Sequence, residues 1–324
     1  MAQERGGIAP DAGRTTVGEY LGLWLEDSVK TSVKPVTYEG YRQLVRKHLI
    51  PSLGRNKLRD LTPEKVRRLR GAKLASGLST RTVQYLLVVL RKALQQAVED
   101  GLIPRNAAQG VRVSQTKEEI RPLSPEQAKI LLAAARGTRL EALYVLAVHT
   151  GLRQGELFGL RWEDVDFGAG TLSVKRILSG AEGGRPIFGT PKTAKSRRSV
   201  KLTAPAVEAL LRHREAQDRE RATAWSGRED NHLVFRSTTG TPLNRHNLVR
   251  RSFKPLLEKA GLPGIRFHDL RHTCATILLS KDKHPKYVQA LLGHATVAIT
   301  LDTYSHVLPG MDDGLAEAME DALS

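Results

Sequence analysis

The stretch from Ser79 to Gly101 limits the fold more than any other. After Ser79, the residues Val83, Leu86, Leu87, Leu90, Leu94 and Val98 recur at helical spacing until Asp100-Gly101 interrupts them. A stripe of this length on one helix needs other helices to cover it. The preceding sequence offers three. Thr16 with Glu19 has the capping-box pattern, ahead of Val17, Leu21, Trp24, Leu25 and Ser28. A second amphipathic helix from Thr37 turns Tyr41, Leu44, Val45, His48 and Leu49 inward and stops at Pro51 and Gly54. Thr62-Pro63 opens a third, with proline at the first helical position. The expectation is a helical bundle over residues 13–112, preceded by a flexible N-terminus, residues 1–12.

On and between these helices sit Arg55, Lys57, Arg59, Lys65, Arg67, Arg68, Arg70 and Lys73, with few acids among them. A solvated face normally mixes signs, so the cluster points to phosphate contact. The whole chain carries 51 Lys plus Arg against 34 Asp plus Glu, a net charge of +17. Residues 1–120 hold +9 of this and the remainder +8, as expected if both parts embrace one polyanion. Cys274 is the only cysteine, so no intrachain disulfide can form, and its apolar surroundings predict a buried, inert thiol. The N-terminus lacks the apolar core of a signal peptide, and the longest aliphatic run, Leu86–Leu90, is too short to span a bilayer. A cytoplasmic protein with no membrane partner is expected.

Residues 104–122 lack an apolar period and are bounded by prolines, which places a linker at 113–122 and a second domain at 123–308. Ser124 with Gln127 repeats the capping box and opens a helix with Ala128, Leu131, Leu132 and Ala135. Leu140–His149 is an apolar helix broken by Thr150-Gly151. Three strand-like pieces follow, around Trp162–Phe167, Thr171–Ile177 and Arg198–Leu202, with Gly-rich turns at 168–170 and 180–184. A surface helix is expected over Pro205–Ala224, a short strand at Leu233–Phe235, and a helix over Asn247–Ala260. The last carries Arg250, Arg251 and Lys254, well placed for a phosphate backbone. The fold class is therefore mainly α with a small β-sheet: a helical bundle followed by an α+β domain. In a tail, residues 309–324, Leu315, Met319 and Ala322 recur at helical spacing and need a surface to pack on.

The chemistry concentrates between Arg266 and His306, which reads R-F-H-D-L-R-H-T, then L-L-G-H-A-T, then T-L-D-T-Y-S-H-V. His268 and Arg271 are three apart and share one helical face. Arginine and histidines can grip a phosphate, and a nearby tyrosine supplies an oxygen nucleophile. Upstream stand T-G-L-R-Q-G-E-L at 150–157, where Glu156 can steady Arg153, and P-K-T at 191–193. In this order and spacing, Arg153, Lys192, His268, Arg271, His294 and Tyr304 resemble the tyrosine recombinases, the family of phage and mobile-element integrases.

That resemblance implies a core-binding domain in the first bundle and a catalytic domain in the second. It also implies that the hairpin lysine followed by threonine, Lys192, is the catalytic one, with Lys195 as runner-up. Lys195, Arg197 and Arg198 then contact phosphates. The implied function is site-specific DNA recombination through a 3′-phosphotyrosyl link, integrating or excising a phage or mobile element in the bacterial cytoplasm. The implied partners are double-stranded recombination sites, three further copies of the chain in a tetramer, and accessory DNA-bending or directionality factors. The tail would pack in trans between copies. No cofactor, metal or ATP is required.

Chemically, a phenol with a pKa of ~10 is a weak nucleophile at neutral pH and needs help. Arg153 and Arg271 would stabilise charge on the non-bridging oxygens, with His294 adding a hydrogen bond. His268 is expected to accept the phenol proton and Lys192 to protonate the departing 5′-oxygen. Three rivals stand beside this reading. A type IB topoisomerase uses nearly the same residues. A non-catalytic DNA-binding regulator would lack one of them. A zinc hydrolase would use His268 and His272, four apart, with His294 or His306. Asp269 in place of the expected Glu, and Arg271 beside the metal, oppose the last.

Overall fold

Thr16 sets the opening helix: its Oγ1 accepts from the Glu19 N–H at 3.2 Å, and Glu19 accepts from the Thr16 N–H at 2.8 Å. The computed structural model describes residues 13–114, 120–182, 185–190, 197–224, 232–304 and 315–323. The chain divides into two units, residues 1–118 and 119–324. The N-terminal segment 1–12, Lys192, Lys195 and His306 lie outside the described residues.

In the first unit, α1 (Val17–Leu23) runs through a wider π turn, Trp24–Val29, into α2 (Lys30–Ser32). In the same way α3 (Pro35–Leu44) passes through Val45–Leu49 into α4 (Ile50–Leu53). The helix runs through Pro51 and ends at Leu53, with Gly54, the other expected stop, as its C-cap. Ile50 N–H bonds back to Val45 O, five residues earlier. That wide turn moves the preceding carbonyls away from the proline ring, which an ordinary α turn would bring into collision. Then come α5 (Pro63–Ala75), capped by Thr62, and α6 (Thr80–Glu99), capped by Ser79. Along α6, Val83, Leu86, Leu87, Leu90 and Leu94 are buried with Val89, Ala93 and Ala97, and Val98 packs at the margin. Arg55, Lys57, Arg59, Arg67 and Arg68 are exposed, and α5 buries Val66 and Leu69 instead.

The second unit begins with α7 (Pro125–Ala135), whose Ser124–Gln127 capping box is formed, and α8 (Glu141–Thr150), almost wholly buried. The short α9 (Gln154–Gly159) follows. β1 (Val165–Asp166), β2 (Thr171–Val174) and β5 (Arg198–Lys201) form an antiparallel sheet in the order β1-β2-β5. Between β2 and β5 the chain makes a separate antiparallel hairpin, β3 (Ile177–Glu182) with β4 (Arg185–Gly189). The sequence suggested only a Gly-rich turn there. The hairpin lies against α9 because α9 itself carries glycines there: a Cβ on Gly159 would sit 3.1 Å from the Ile177 backbone and one on Gly155 2.9 Å from Leu178 O.

α10 (Ala204–Ala224) is less superficial than expected, because Ala206, Ala209, Leu210 and Gln217 are buried. The strand expected at Leu233–Phe235 reduces to a single bridge between Leu233 and Arg161. α11 (Arg245–Leu248) leads through a third π turn, Val249–Phe253, into α12 (Lys254–Lys259), so Pro255 is accommodated as Pro51 is. Last come α13 (Asp269–Leu279), α14 (Pro285–Leu292), α15 (Val297–Tyr304) and α16 (Leu315–Leu323). Ala275, Leu279, Val288, Leu292 and Tyr304 form a small apolar cluster separate from the large core of this unit. Cys274 is buried, and burial pushes its thiol up to about 12, which makes it inert.

Candidate active site

α8 and α14 both end on a glycine in the left-handed conformation, Gly151 at φ 60° and Gly293 at φ 66°. A helix C-terminus leaves carbonyls without intrahelical partners, and these carry the negative end of the helix dipole. Here arginines fill those positions. Arg271 donates through Nη1 to Gly151 O and through Nη2 to Leu292 O, each at 2.7 Å. Arg153 donates through Nη2 to Gly293 O at 3.1 Å, and Arg198 through Nε to Leu291 O. Three successive carbonyls at the end of α14 thus hold three arginines.

A buried carboxylate ties two of these arginines together. The Glu156 side chain is only 1% exposed, and it accepts from Arg153 Nη1 at 2.8 Å and from Arg198 Nη2 at 3.0 Å. Burial works against its charge, but Arg198 and Arg153 outweigh that and hold its carboxyl below the usual range. Arg271 is buried while Arg153 stays 37% exposed, so its guanidinium can still face a ligand. Burial and the neighbouring Arg153 pull the Arg271 guanidinium down, to about 9, which leaves it a cation at neutral pH.

The expected DNA contact at Arg198 is corrected by this arrangement. Its side chain is 7% exposed and is committed to Glu156 and Leu291 O. Arg197, the neighbouring residue, is exposed. Exposure also holds for Arg250 and Arg251, and for Arg245 and His246 at the start of α11, which the sequence did not single out. In the first unit, Arg68 pairs with Glu64, Arg70 donates to Arg112 O and Lys65 to Asp60 O, while Lys73 is half-buried. The extra hairpin helps to wall a cleft of about 800 Å³ beside α9, lined by Gln154, Phe158, Leu178, Pro242 and Asn244.

The histidines divide differently from the sequence expectation. His294 Nδ1 lies 2.9 Å from Thr300 Oγ1, and burial, with Arg271 and Arg153, pushes the ring down to about 4. His268 occupies the N-cap position of α13, with its ring edge-to-face against His272 at 5.2 Å between centroids. Burial, then His272 and Arg271, push it down to about 4 as well. The Tyr304 phenol meets His272, whose Nδ1 lies 2.7 Å from Oη. His268 makes no hydrogen bond to Tyr304, so the expected pairing is not formed here. Tyr304 is 1% exposed, and burial raises its phenol to about 12 although Arg271 opposes the rise. Among the described residues, no three His, Cys, Asp or Glu side chains are grouped to hold a metal ion.

Arginines and histidines gathered about a tyrosine, on this arrangement of helices and sheet, define a tyrosine recombinase. The sequence profile of the phage integrase family matches residues 121–310, and that of the phage integrase N-terminal SAM-like domain matches residues 16–73. The chain belongs to that family and is a site-specific DNA recombinase. It is 31% identical to a XerC-like tyrosine recombinase of Caldanaerobacter subterraneus subsp. tengcongensis, over 98% of this chain and 86% of the relative. It is 35% identical to an integrase of Streptomyces ambofaciens, over 83% of this chain and 70% of that one. The fold is that of the Tn1549 transposon integrase in complex with a circular intermediate DNA, with a TM-score of 0.80 at 23% identity. That match covers 96% of this chain and 100% of the other. The relatives are recombinases and integrases, so the topoisomerase and regulator readings are not favoured.

Proposed function

We propose that the chain integrates or excises a phage or mobile element, cutting and rejoining DNA through a 3′-phosphotyrosyl link at Tyr304. The observation that carries this reading is the gathering of Arg153, Arg271, His294 and Tyr304 where the end of α14 meets α13 and α15. Attack by the phenol oxygen on a phosphodiester puts charge on the non-bridging oxygens. The two guanidiniums stabilise that charge because they are already fixed, by Gly151, Leu292 and Gly293, before substrate arrives. His294 adds a neutral donor to the same oxygens. Lys192 protonates the leaving 5′-oxygen. The link conserves the phosphodiester energy, so a partner strand's 5′-hydroxyl reseals it without ATP or metal.

The surroundings fit the same reading. Exposed Arg55, Lys57, Arg59 and Arg67 in the first unit, and Arg197, Arg250 and Arg251 in the second, bind the DNA backbone. One relative is the ICEBs1 integrase of Bacillus subtilis, a bacterial integrase, which supports this reading. Lambda integrase is known as a tetramer bound to a Holliday junction, which supports four copies here, working with accessory DNA-bending or directionality factors. The tail helix α16, with Met319 59% and Leu323 79% exposed, packs on the neighbouring copy.

The test is to trap the covalent adduct from a library of nicked duplexes and sequence the attached ends. One recurring sequence is expected. Attachment without sequence preference, with free relaxation of supercoiled plasmid, would contradict the reading.

A further inference from the structure

His272 is not one of the six residues that carry the family resemblance, and the sequence gives it a role only in the rejected zinc reading. In the fold it holds the reacting atom. Its Nδ1 is 2.7 Å from Tyr304 Oη, and the two rings lie 5.6 Å apart between centroids. The Tyr304 ring otherwise packs with Ala275, Leu279, Val288 and Leu292, and His272 is its hydrogen-bond partner among the described residues. His272 is set by α13 one residue after Arg271, so the acceptor and the phosphate-binding guanidinium are positioned by the same rigid element.

We propose that His272 is a catalytic residue: the base that takes the Tyr304 proton as Oη attacks the DNA phosphate, and returns it when the strand reseals. The inference rests on the recombinase reading above. In cleavage, the Oη–P bond forms and the P–O5′ bond breaks. The phenol proton passes to Nδ1, giving an imidazolium, while the 5′-oxygen takes a proton from Lys192 and departs as a hydroxyl. On resealing, the 5′-hydroxyl attacks phosphorus, its proton returns to Lys192, and the phenolate recovers its proton from His272. Each group ends in its starting state.

The base must be neutral when the phenol arrives. Burial keeps the ring neutral, Arg266 and Arg271 assist, and Asp269 opposes them. His268 and His294, the other titratable groups facing the ring, are also pushed towards neutrality. With Nε2 carrying the ring proton, Nδ1 accepts from Oη–H. His268 is then left free to face the phosphate.

The test is single-turnover cleavage by the full chain on a nicked suicide substrate. Tyr304→Phe should give no adduct, which secures the underlying reading. His272→Ala should slow adduct formation by ~10²-fold or more, the usual size of a general-base contribution. Added imidazole should restore part of the rate, more so as the basicity of substituted imidazoles rises. His272→Gln keeps a hydrogen-bonding side chain but accepts no proton, so it should be slow even where the alanine variant folds poorly. A wild-type rate for His272→Gln would overturn the proposal, since the contact would then only position the phenol. A faster rate for His272→Ala would also overturn it, because the bond would then be a latch. If wild type forms no adduct, or Tyr304→Phe does, the recombinase reading itself fails, which is a different result.

Discussion

Gly293 accepts a hydrogen bond from Arg153, and a Cβ at that position would lie 2.9 Å from Nη1 of Arg198. The glycine therefore meets two requirements, a left-handed turn and room for a buried guanidinium. Gly293→Ala should lower stability by ~1–3 kcal/mol through backbone strain. It should reduce cleavage by a larger factor than the stability loss accounts for, because Arg198 is pushed off Glu156 and Arg153 loses its fixed position. Thermal melting and adduct rate, measured on the same preparation, separate the two effects.

Arg197 and Arg198 are adjacent in sequence but should behave oppositely. Arg197→Ala should lower the slope of log affinity against log salt by ~0.9, the value of one phosphate contact. Arg198→Ala should leave that slope unchanged while destabilising the domain and slowing cleavage. Glu156→Gln should be worse for folding, by ~3–5 kcal/mol, because it leaves a buried guanidinium without its counter-charge. Salt titration of DNA binding, with melting curves, checks all three.

Acid should destabilise the catalytic unit. Unfolded histidines take up protons near ~6.5, whereas His268 and His294 are held down at about 4 in the fold. Between those values the unfolded state binds more protons, so stability falls as pH drops through that window. His294→Gln should flatten part of this slope. A melting temperature that is flat from pH 7 to pH 5 would contradict it.

Much of this architecture was legible beforehand, for identifiable reasons. Capping boxes at Thr16 and Ser124 and the stripe on α6 are local patterns, and they form where the sequence places them. What was missed depends on contacts far along the chain. The helix passes Pro51 because a π turn precedes it, and no residue type marks such a turn. The β3–β4 hairpin is hidden because its glycines read only as a turn, while the glycines that admit it, Gly155 and Gly159, lie on α9. Arg198 looked like its exposed neighbour Arg197. Only the return of α14 and Glu156 to its side, 93 and 42 residues away, buries it. The pairing of Tyr304 with His272 rather than His268 is likewise a matter of how α15 docks on α13. The four-residue spacing of the two histidines was the one available signal.

Deleting residues 311–324 should leave binding to a single site intact and reduce cooperative assembly and recombination on two-site substrates. Exposed Met319 and Leu323 are the anchors expected to dock on the next copy. Gel shifts on one and two sites, beside a recombination assay, measure this. Wild-type recombination by the truncated protein would remove the tail from the assembly.

The covalent link is the centre of the mechanism, and its chemistry can be read directly. A trapped adduct is digested with protease and nuclease, and the nucleotide-bearing peptide is sequenced by mass spectrometry. The expected result is a 3′-phosphonucleotide on Tyr304 and a free 5′-hydroxyl on the released strand. A nucleotide on Tyr287, which is 75% exposed, or a 5′-phosphate linkage, would contradict it.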